Sequence, residues 1–218
     1  MLSCVSSSNT PFFLTGGTAL SRYYLQHRYS DDLDLFVIDD ARYSDHVDRL
    51  LQNFIVNERA DKFVLDRKSI RRGKDYTQLI VTDSRNVEVE LKIDLINDVA
   101  DHYGNLESDP VLGKVDSWQN ILANKLTALF RSEPKDVVDI WAIARKYPFN
   151  WQVIMGAAKA KEAGVEPETV YEILMSFPVR FINALKLINP PDESTFQKEV
   201  HQIAADIFYG RDNFLSTR

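Results

Sequence analysis

Asp32 and Asp34 lie two residues apart in Asp32-Leu33-Asp34-Leu35-Phe36-Val37, where carboxylates alternate with apolar side chains in the period of a half-buried strand. Both carboxylates then leave one face of that strand, with Cα atoms roughly 6–7 Å apart. Such a pair is a platform for hard cations bound through oxygen. Two cations about 3.5–4 Å apart need shared oxygen ligands, and a carboxylate on an adjacent strand would complete the set. Asp94 is the candidate, because Val87, Val89, Leu91, Ile93 and Leu95 alternate with Glu88, Glu90, Lys92 and Asp94. Glu88 and Glu90 share its face and compete for the assignment. A solvated sheet face would also show Asp-x-Asp. Aspartate is disfavoured in strands, however, and two strands carrying Asp opposite a strong apolar face weigh against accident. Upstream, Gly16-Gly17-Thr18 precedes a helical pattern. A glycine pair lets the backbone approach a ligand, while N–H groups and the helix dipole favour phosphate there. Alone, such a pair is often only a turn; its place ahead of the paired aspartates gives it weight.

Periodicity predicts the elements that must hold these residues. Leu20, Tyr23, Tyr24 and His27 set a helix over 17–27, and Val47, Leu50, Leu51 and Phe54 set another over 43–56. Strands are predicted at 63–65, 77–81 and 87–95. Beyond Asp109-Pro110 the patterns turn helical: 117–131, 135–146, 150–163, 167–187 with a break at Pro178, and 194–209. Pro134 suits the first turn of its helix, where a missing N–H costs nothing. Strands gathered in one half and helices in the other predict an α+β fold, with an α+β domain over residues 1–110 and a helical domain over 111–218. Between two predicted strands, Arg67 to Lys74 holds five basic residues in eight. This reads as a hairpin loop able to grip an RNA backbone, although basic loops are commonly only solvated.

Composition narrows the function classes. The chain has 218 residues, 44% hydrophobic and 27% charged, which fits a globular protein rather than a disordered or fibrous one. A net charge of −6 argues against wrapping nucleic acid through overall basicity. Cys4 is the single cysteine, so no intrachain disulfide is available and the cytoplasm is the expected compartment. Neither a secretory signal nor an apolar run of about 18 residues is present, so no membrane association is expected. The four histidines lack metal-ligand spacing, and no Gly-x-Ser-x-Gly, P-loop or dinucleotide fingerprint appears.

Taken in order, Gly16-Gly17, Asp32-Leu33-Asp34-Leu35 and Asp94 resemble the signature of polymerase-β-like nucleotidyltransferases. A closer resemblance is to the AbiEii/AbiGii-type toxin nucleotidyltransferases. It rests on Gly16-Gly17-Thr18-Ala19-Leu20, on Arg28-Tyr29-Ser30-Asp31-Asp32-Leu33-Asp34-Leu35-Phe36 and on Lys92-Ile93-Asp94. It continues through Ala123-Asn124-Lys125-Leu126-Thr127-Ala128-Leu129 and Lys135-Asp136-Val137-Val138-Asp139-Ile140-Trp141, so it spans about residues 12–146. The resemblance implies a polymerase-β-like domain with a small mixed sheet followed by a helical domain. It also implies metal held by Asp32, Asp34 and Asp94, with Gly16, Gly17, Thr18, Arg28, Ser30 and Lys125 around the nucleotide. Asp136 and Asp139, three apart on one helix face, could orient Lys125 or an acceptor hydroxyl. Asp136 is equally an acidic first-turn residue favoured by the helix dipole.

The expected reaction is attack by an acceptor hydroxyl on the α-phosphate of a nucleoside triphosphate, with magnesium or manganese as the metal. The resemblance further implies the toxin of a bacterial toxin–antitoxin or phage-defence pair, with a cognate antitoxin. Its acceptor would be RNA, such as the tRNA 3′ end, or a protein. Two alternatives stand beside it: a small-molecule enzyme of the aminoglycoside type, and a nucleotide- or partner-binding module of the same fold without turnover.

Overall fold

The structure, a computed structural model, describes residues 2–58 and 63–217. The chain forms two compact units. One comprises residues 1–19, 30–100 and 105–117; the other comprises 20–29, 101–104 and 118–218.

The first unit opens with a short helix α1 (Leu2–Ser7), strand β1 (Phe13–Thr15) and a single helical turn α2 (Gly16–Ala19). It continues with β2 (Asp32–Ile38), helix α3 (Tyr43–Asn57), β3 (Phe63–Arg72), β4 (Tyr76–Asp83) and β5 (Glu90–Asp98). Two three-residue strands close it, β6 (Glu107–Asp109) and β7 (Gly113–Val115). Among the described residues seven strands join one mixed sheet in the order β3-β4-β5-β2-β1-β7-β6. The pairs β2–β5 and β1–β7 are parallel and the others antiparallel. One face buries Leu33, Leu35, Val37, Leu79, Val81, Ile93 and Leu95. Helix α3 lies on that face: Tyr43 donates to Leu95 O at 2.8 Å and Phe54 meets Phe63 edge-on. The period of two therefore sends Asp32, Asp34 and Asp94 to the opposite face.

The second unit begins with a π-helical turn, Leu20–Tyr24, closed by Leu25 N–H donating to Leu20 O at 2.7 Å. Five helices follow: α4 (Trp118–Ala128), α5 (Pro134–Lys146), α6 (Trp151–Lys161), α7 (Pro167–Met175) and α8 (Glu193–Phe208). Their starts carry the expected signals. Pro134 and Pro167 sit in first turns, and Asn150 and Asp192 cap α6 and α8 by accepting from Gln152 N and Thr195 N. Ile121, Leu126, Val138, Ile143, Trp151, Phe196 and Ile203 form its core.

Three local expectations give way. The helix over 17–27 is one α-turn plus one π-turn, ended by Gln26 at φ 52°. The strand expected from Val87 begins at Glu90; Val87 and Val89 are exposed and Glu88 lies in the turn, which removes Glu88 as a rival to Asp94. Arg67 to Arg72 is not a loop but the second half of β3, with an irregularity between Asp66 and Arg71. β3 is an edge strand whose second half has no buried face, so it leaves no apolar alternation to read. Among the described residues no helix is long and apolar enough to cross a membrane.

Leu35 is fully buried on the face of β2 opposite Asp32 and Asp34. Leu35→Ala should cost about 2–5 kcal/mol through lost burial and a residual cavity, measured as a lower midpoint in urea unfolding.

Candidate active site

The parallel pairing of β2 and β5 puts Asp34 directly opposite Asp94, and Asp32 opposite Lys92. Antiparallel β4 then puts Gln78 opposite Asp94 on the far side. Tyr76 and Gln78 share this face, and their O–H and Nε2–H groups each donate to Asp94 Oδ1 at 3.0 Å. Gln78 also donates to the Tyr76 oxygen at 2.8 Å, which fixes the two donors relative to each other. Burial, with the hydrogen bond to Asp94 and its charge, pushes the Tyr76 phenol up to about 12. Lys92 projects from the same face. Its Nζ lies 3.0 Å from Asp94 Oδ2 and 3.6 Å from Asp32 Oδ1. Burial works against its charge, but Asp94, Asp32 and Asp34 outweigh that and hold the ammonium above its ordinary value.

The glycine turn abuts this face. Gly16 stands at φ 65°, and a Cβ there would collide with Asp34 Oδ2. Gly17 and Thr18 are buried in the turn, and the Thr18 hydroxyl donates to the Asp32 carbonyl. Thr15, which ends β1, donates to Asp116 Oδ2 at 2.5 Å and ties the start of that turn to the strand after β7. Ser30 is half-buried two residues before β2. Gly16, Gly17, Thr18, Asp32, Asp34 and Asp94 are thus gathered around one sheet face.

The carboxylate set fits a hard divalent cation by donor chemistry, and a positive charge already stands between two of its members in the form of Lys92. Even so, among the described residues no three His, Cys, Asp or Glu groups stand close enough to hold a metal ion as they are. Carboxylates on adjacent strands repel, and the Lys92 ammonium stands between Asp32 and Asp94.

Arg28, Lys125 and Asp136 belong to the second unit, where they form a buried cluster. Arg28 grips Asp139 with two bonds, Nε to Oδ1 at 2.7 Å and Nη2 to Oδ2 at 2.8 Å. Lys125 Nζ reaches Asp136 Oδ1 at 2.6 Å and Asp139 Oδ2 at 2.8 Å. His27 Nε2 faces Asp139 Oδ1 at 2.7 Å, so that nitrogen carries the proton. The segment 27–29 is pinned because Tyr29 N–H donates to Lys186 O and Ile188 N–H to His27 O. Asp136 and Asp139, one turn apart on α5, both face Lys125 of α4. Burial opposes ionisation of Asp139, but the Lys125 charge and the bonds from Arg28 and His27 hold its carboxyl far below the usual range.

Sequence reasoning gave no role to Lys92, Tyr76, Gln78 or His27. Tyr76 and Gln78 were discoverable: on a strand beside β5, the period of two puts both on Asp94's face. Lys92 shares Asp94's parity but reads as an ordinary strand charge.

The family model described as "Nucleotidyl transferase AbiEii toxin, Type IV TA system" matches residues 2–214. No curated protein matches the chain. Among solved structures, a nucleotidyltransferase from H. pylori is 19% identical with a TM-score of 0.63, covering 95% of this chain and 92% of its own. JHP933 from Helicobacter pylori is 20% identical at a TM-score of 0.60, covering 95% and 89%. MenT4, a nucleotidyltransferase toxin from Mycobacterium tuberculosis H37Rv, is 17% identical at 0.67, covering 94% and 80%. At these identities the likeness is one of fold.

Two outcomes follow from the geometry. Gly16→Ala should lose about 1–2 kcal/mol from left-handed backbone strain, with a further cost as Asp34 is displaced; thermal unfolding reads the loss. Lys125→Ala should cost about 3–5 kcal/mol, because it leaves two buried carboxylates without their shared cation. Since the folded Asp139 carboxyl lies below its unfolded value of 3.8, its stabilisation is present above that pH and lost as pH falls below it. Acid titration of stability should show wild type losing this contribution from about pH 4 downward, and Asp139→Asn lacking it.

Proposed function

Because this chain belongs to the AbiEii nucleotidyltransferase toxin family, we propose that it transfers a nucleoside monophosphate from a nucleoside triphosphate to an acceptor hydroxyl on RNA. The observation that carries this is the sheet face on which Asp32, Asp34 and Asp94 stand in register beside the Gly16 turn. The acceptor oxygen bonds to the α-phosphorus as the bond to the bridging oxygen breaks, and pyrophosphate leaves. Asp94, steadied by Tyr76 and Gln78, receives the hydroxyl proton. The α2 turn offers backbone N–H groups to the phosphates, and Gly16 keeps the space beside Asp34 clear of a side chain. Asp32, Asp34 and Asp94 would hold magnesium or manganese, which supplies charge stabilisation to the phosphates when bound. Through the family resemblance Arg28, Ser30 and Lys125 enter as candidates for nucleotide contact, and Asp136 as a candidate to orient Lys125 or the acceptor hydroxyl. Within their own unit, Asp139 and Asp136 hold the two cations in place.

The basic strand supports RNA, such as a tRNA 3′ end, over a protein acceptor. Arg71 pairs with Gln78 across β3–β4 and so shares the face of Asp94, two strands away. Arg72 has the opposite parity and is spent on Asp48 and Ser44 of α3. Arg67 is engaged by Glu58. Lys68 and Arg71 are both exposed and, among the described residues, neither is paired with a carboxylate, while Arg71 Nη1 donates to Lys68 O at 2.8 Å. A cognate antitoxin is the partner expected of a family of this kind.

The decisive assay incubates the protein with each α-labelled triphosphate, Mg²⁺ and total RNA, then total protein. Wild type should label RNA, and Asp34→Asn should lose at least about 100-fold while staying folded, as expected for a group acting in the transition state. Label on protein alone would reject the RNA acceptor, and full activity in Asp34→Asn would reject the site. Lys68→Ala/Arg71→Ala should flatten the salt dependence of RNA binding by a slope of about 1 per lost phosphate contact, with triphosphate binding unchanged.

A further inference from the structure

We propose that Lys92 is a built-in counter-cation that competes with divalent metal for the carboxylate face, so that metal binds tightly only together with a triphosphate. The inference rests on reading Asp32, Asp34 and Asp94 as the metal-holding set. Three observations carry it. Lys92 is opposite Asp32 in the β2–β5 register and two residues from Asp94, so its stem rises from the floor of the face itself. Its ammonium bridges the two carboxylates, at 3.6 Å from Asp32 and 3.0 Å from Asp94. It is partly buried, with a side chain 39% exposed, so the link is less screened than a surface pair.

A divalent ion entering between Asp32 and Asp94 must displace this ammonium, because two cations cannot share those oxygens without repulsion. The displaced Lys92 remains on the same face, where its carboxylates are now shared with the metal and added negative charge satisfies it. A triphosphate brings that charge. Metal and triphosphate thus favour each other's binding, and the coupling is reciprocal. The flexible four-carbon stem of lysine suits this movement, whereas the planar fork of arginine would grip the carboxylates more firmly.

The experiment measures Mn²⁺ binding by calorimetry and by electron paramagnetic resonance, with Mn²⁺ alone and then with a non-hydrolysable triphosphate analogue. Wild type, Lys92→Gln, Lys92→Met, Lys92→Arg and Asp34→Asn are compared, with circular dichroism to confirm folding. Wild type should bind Mn²⁺ weakly alone and at least tenfold more tightly with the analogue. Lys92→Gln and Lys92→Met should bind Mn²⁺ alone at least tenfold more tightly than wild type, with the analogue adding little. They should also melt lower than wild type without divalent ions and recover with Mn²⁺, while Lys92→Arg stays as weak as wild type or weaker. Unchanged or weakened Mn²⁺ binding in folded Lys92→Gln, with Asp34→Asn abolishing the binding, overturns the role of Lys92 and leaves the carboxylate site standing. Mn²⁺ binding insensitive to Asp34 in every variant, analogue included, overturns both.

Discussion

Three carboxylates on neighbouring parallel strands repel one another, and this constraint organises the first unit. Asp34 and Asp94 are directly opposite, an arrangement that costs stability unless opposite charge intervenes. The fold answers on each side of Asp94. Tyr76 and Gln78 donate to one oxygen, and Lys92 takes the other while reaching back to Asp32. The buried side of the same strands, with Leu33, Leu35, Ile93 and Leu95, anchors them to α3. Packing on one side of the sheet thus holds in place a repulsive arrangement on the other, as expected where binding chemistry requires clustered like charges.

The second unit applies the same physics with a different outcome. Arg28 and Lys125 are balanced by Asp136 and Asp139 inside a buried cluster, with His27 satisfying a remaining lone pair. Breaking such a cluster by removing one member leaves buried charge without a partner, so its residues tolerate substitution poorly whatever further part they play. The consequence for interpreting variants is direct: loss of activity on changing Lys125 or Asp139 has to be separated from loss of fold.

How much of this was legible in the sequence varied with the kind of signal. β2 and β5 were readable because each buries one face, so apolar and polar residues alternate. Helices α3 to α6 and α8 were readable from their period, and Pro134 from its first-turn position; the pattern over 167–187 is α7 only as far as Met175, with a 3-10 turn over Val179–Ala184 after the break at Pro178. The first half of β3 was readable from buried Phe63 and Leu65, whereas its second half was read as a loop because an edge segment without a buried face leaves no such pattern. β1, β6 and β7, at three residues each, are shorter than any period can reveal. The candidate residues followed the same divide. Asp32, Asp34 and Asp94 were singled out by strand spacing, whereas Arg28, Lys125 and Asp136 were singled out through family resemblance. The pairing of Arg28 with Asp139 spans 111 residues in sequence, and no local pattern announces it. Lys92 stood within a quoted motif, yet its relation to Asp32 depends on which strand pairs with which.

The central claim is that the face carrying Asp32, Asp34 and Asp94 is where metal and nucleotide meet, with Lys92 yielding its place. A crystal structure with Mn²⁺ and a non-hydrolysable triphosphate, read through anomalous scattering, tests it most directly. The account predicts a manganese peak within bonding distance of Asp34 and Asp94 oxygens, about 2.0–2.6 Å as for hard cations on carboxylates, with Lys92 Nζ moved off Asp94. A nucleotide bound elsewhere, with Lys92 still bridging Asp32 and Asp94, would contradict it.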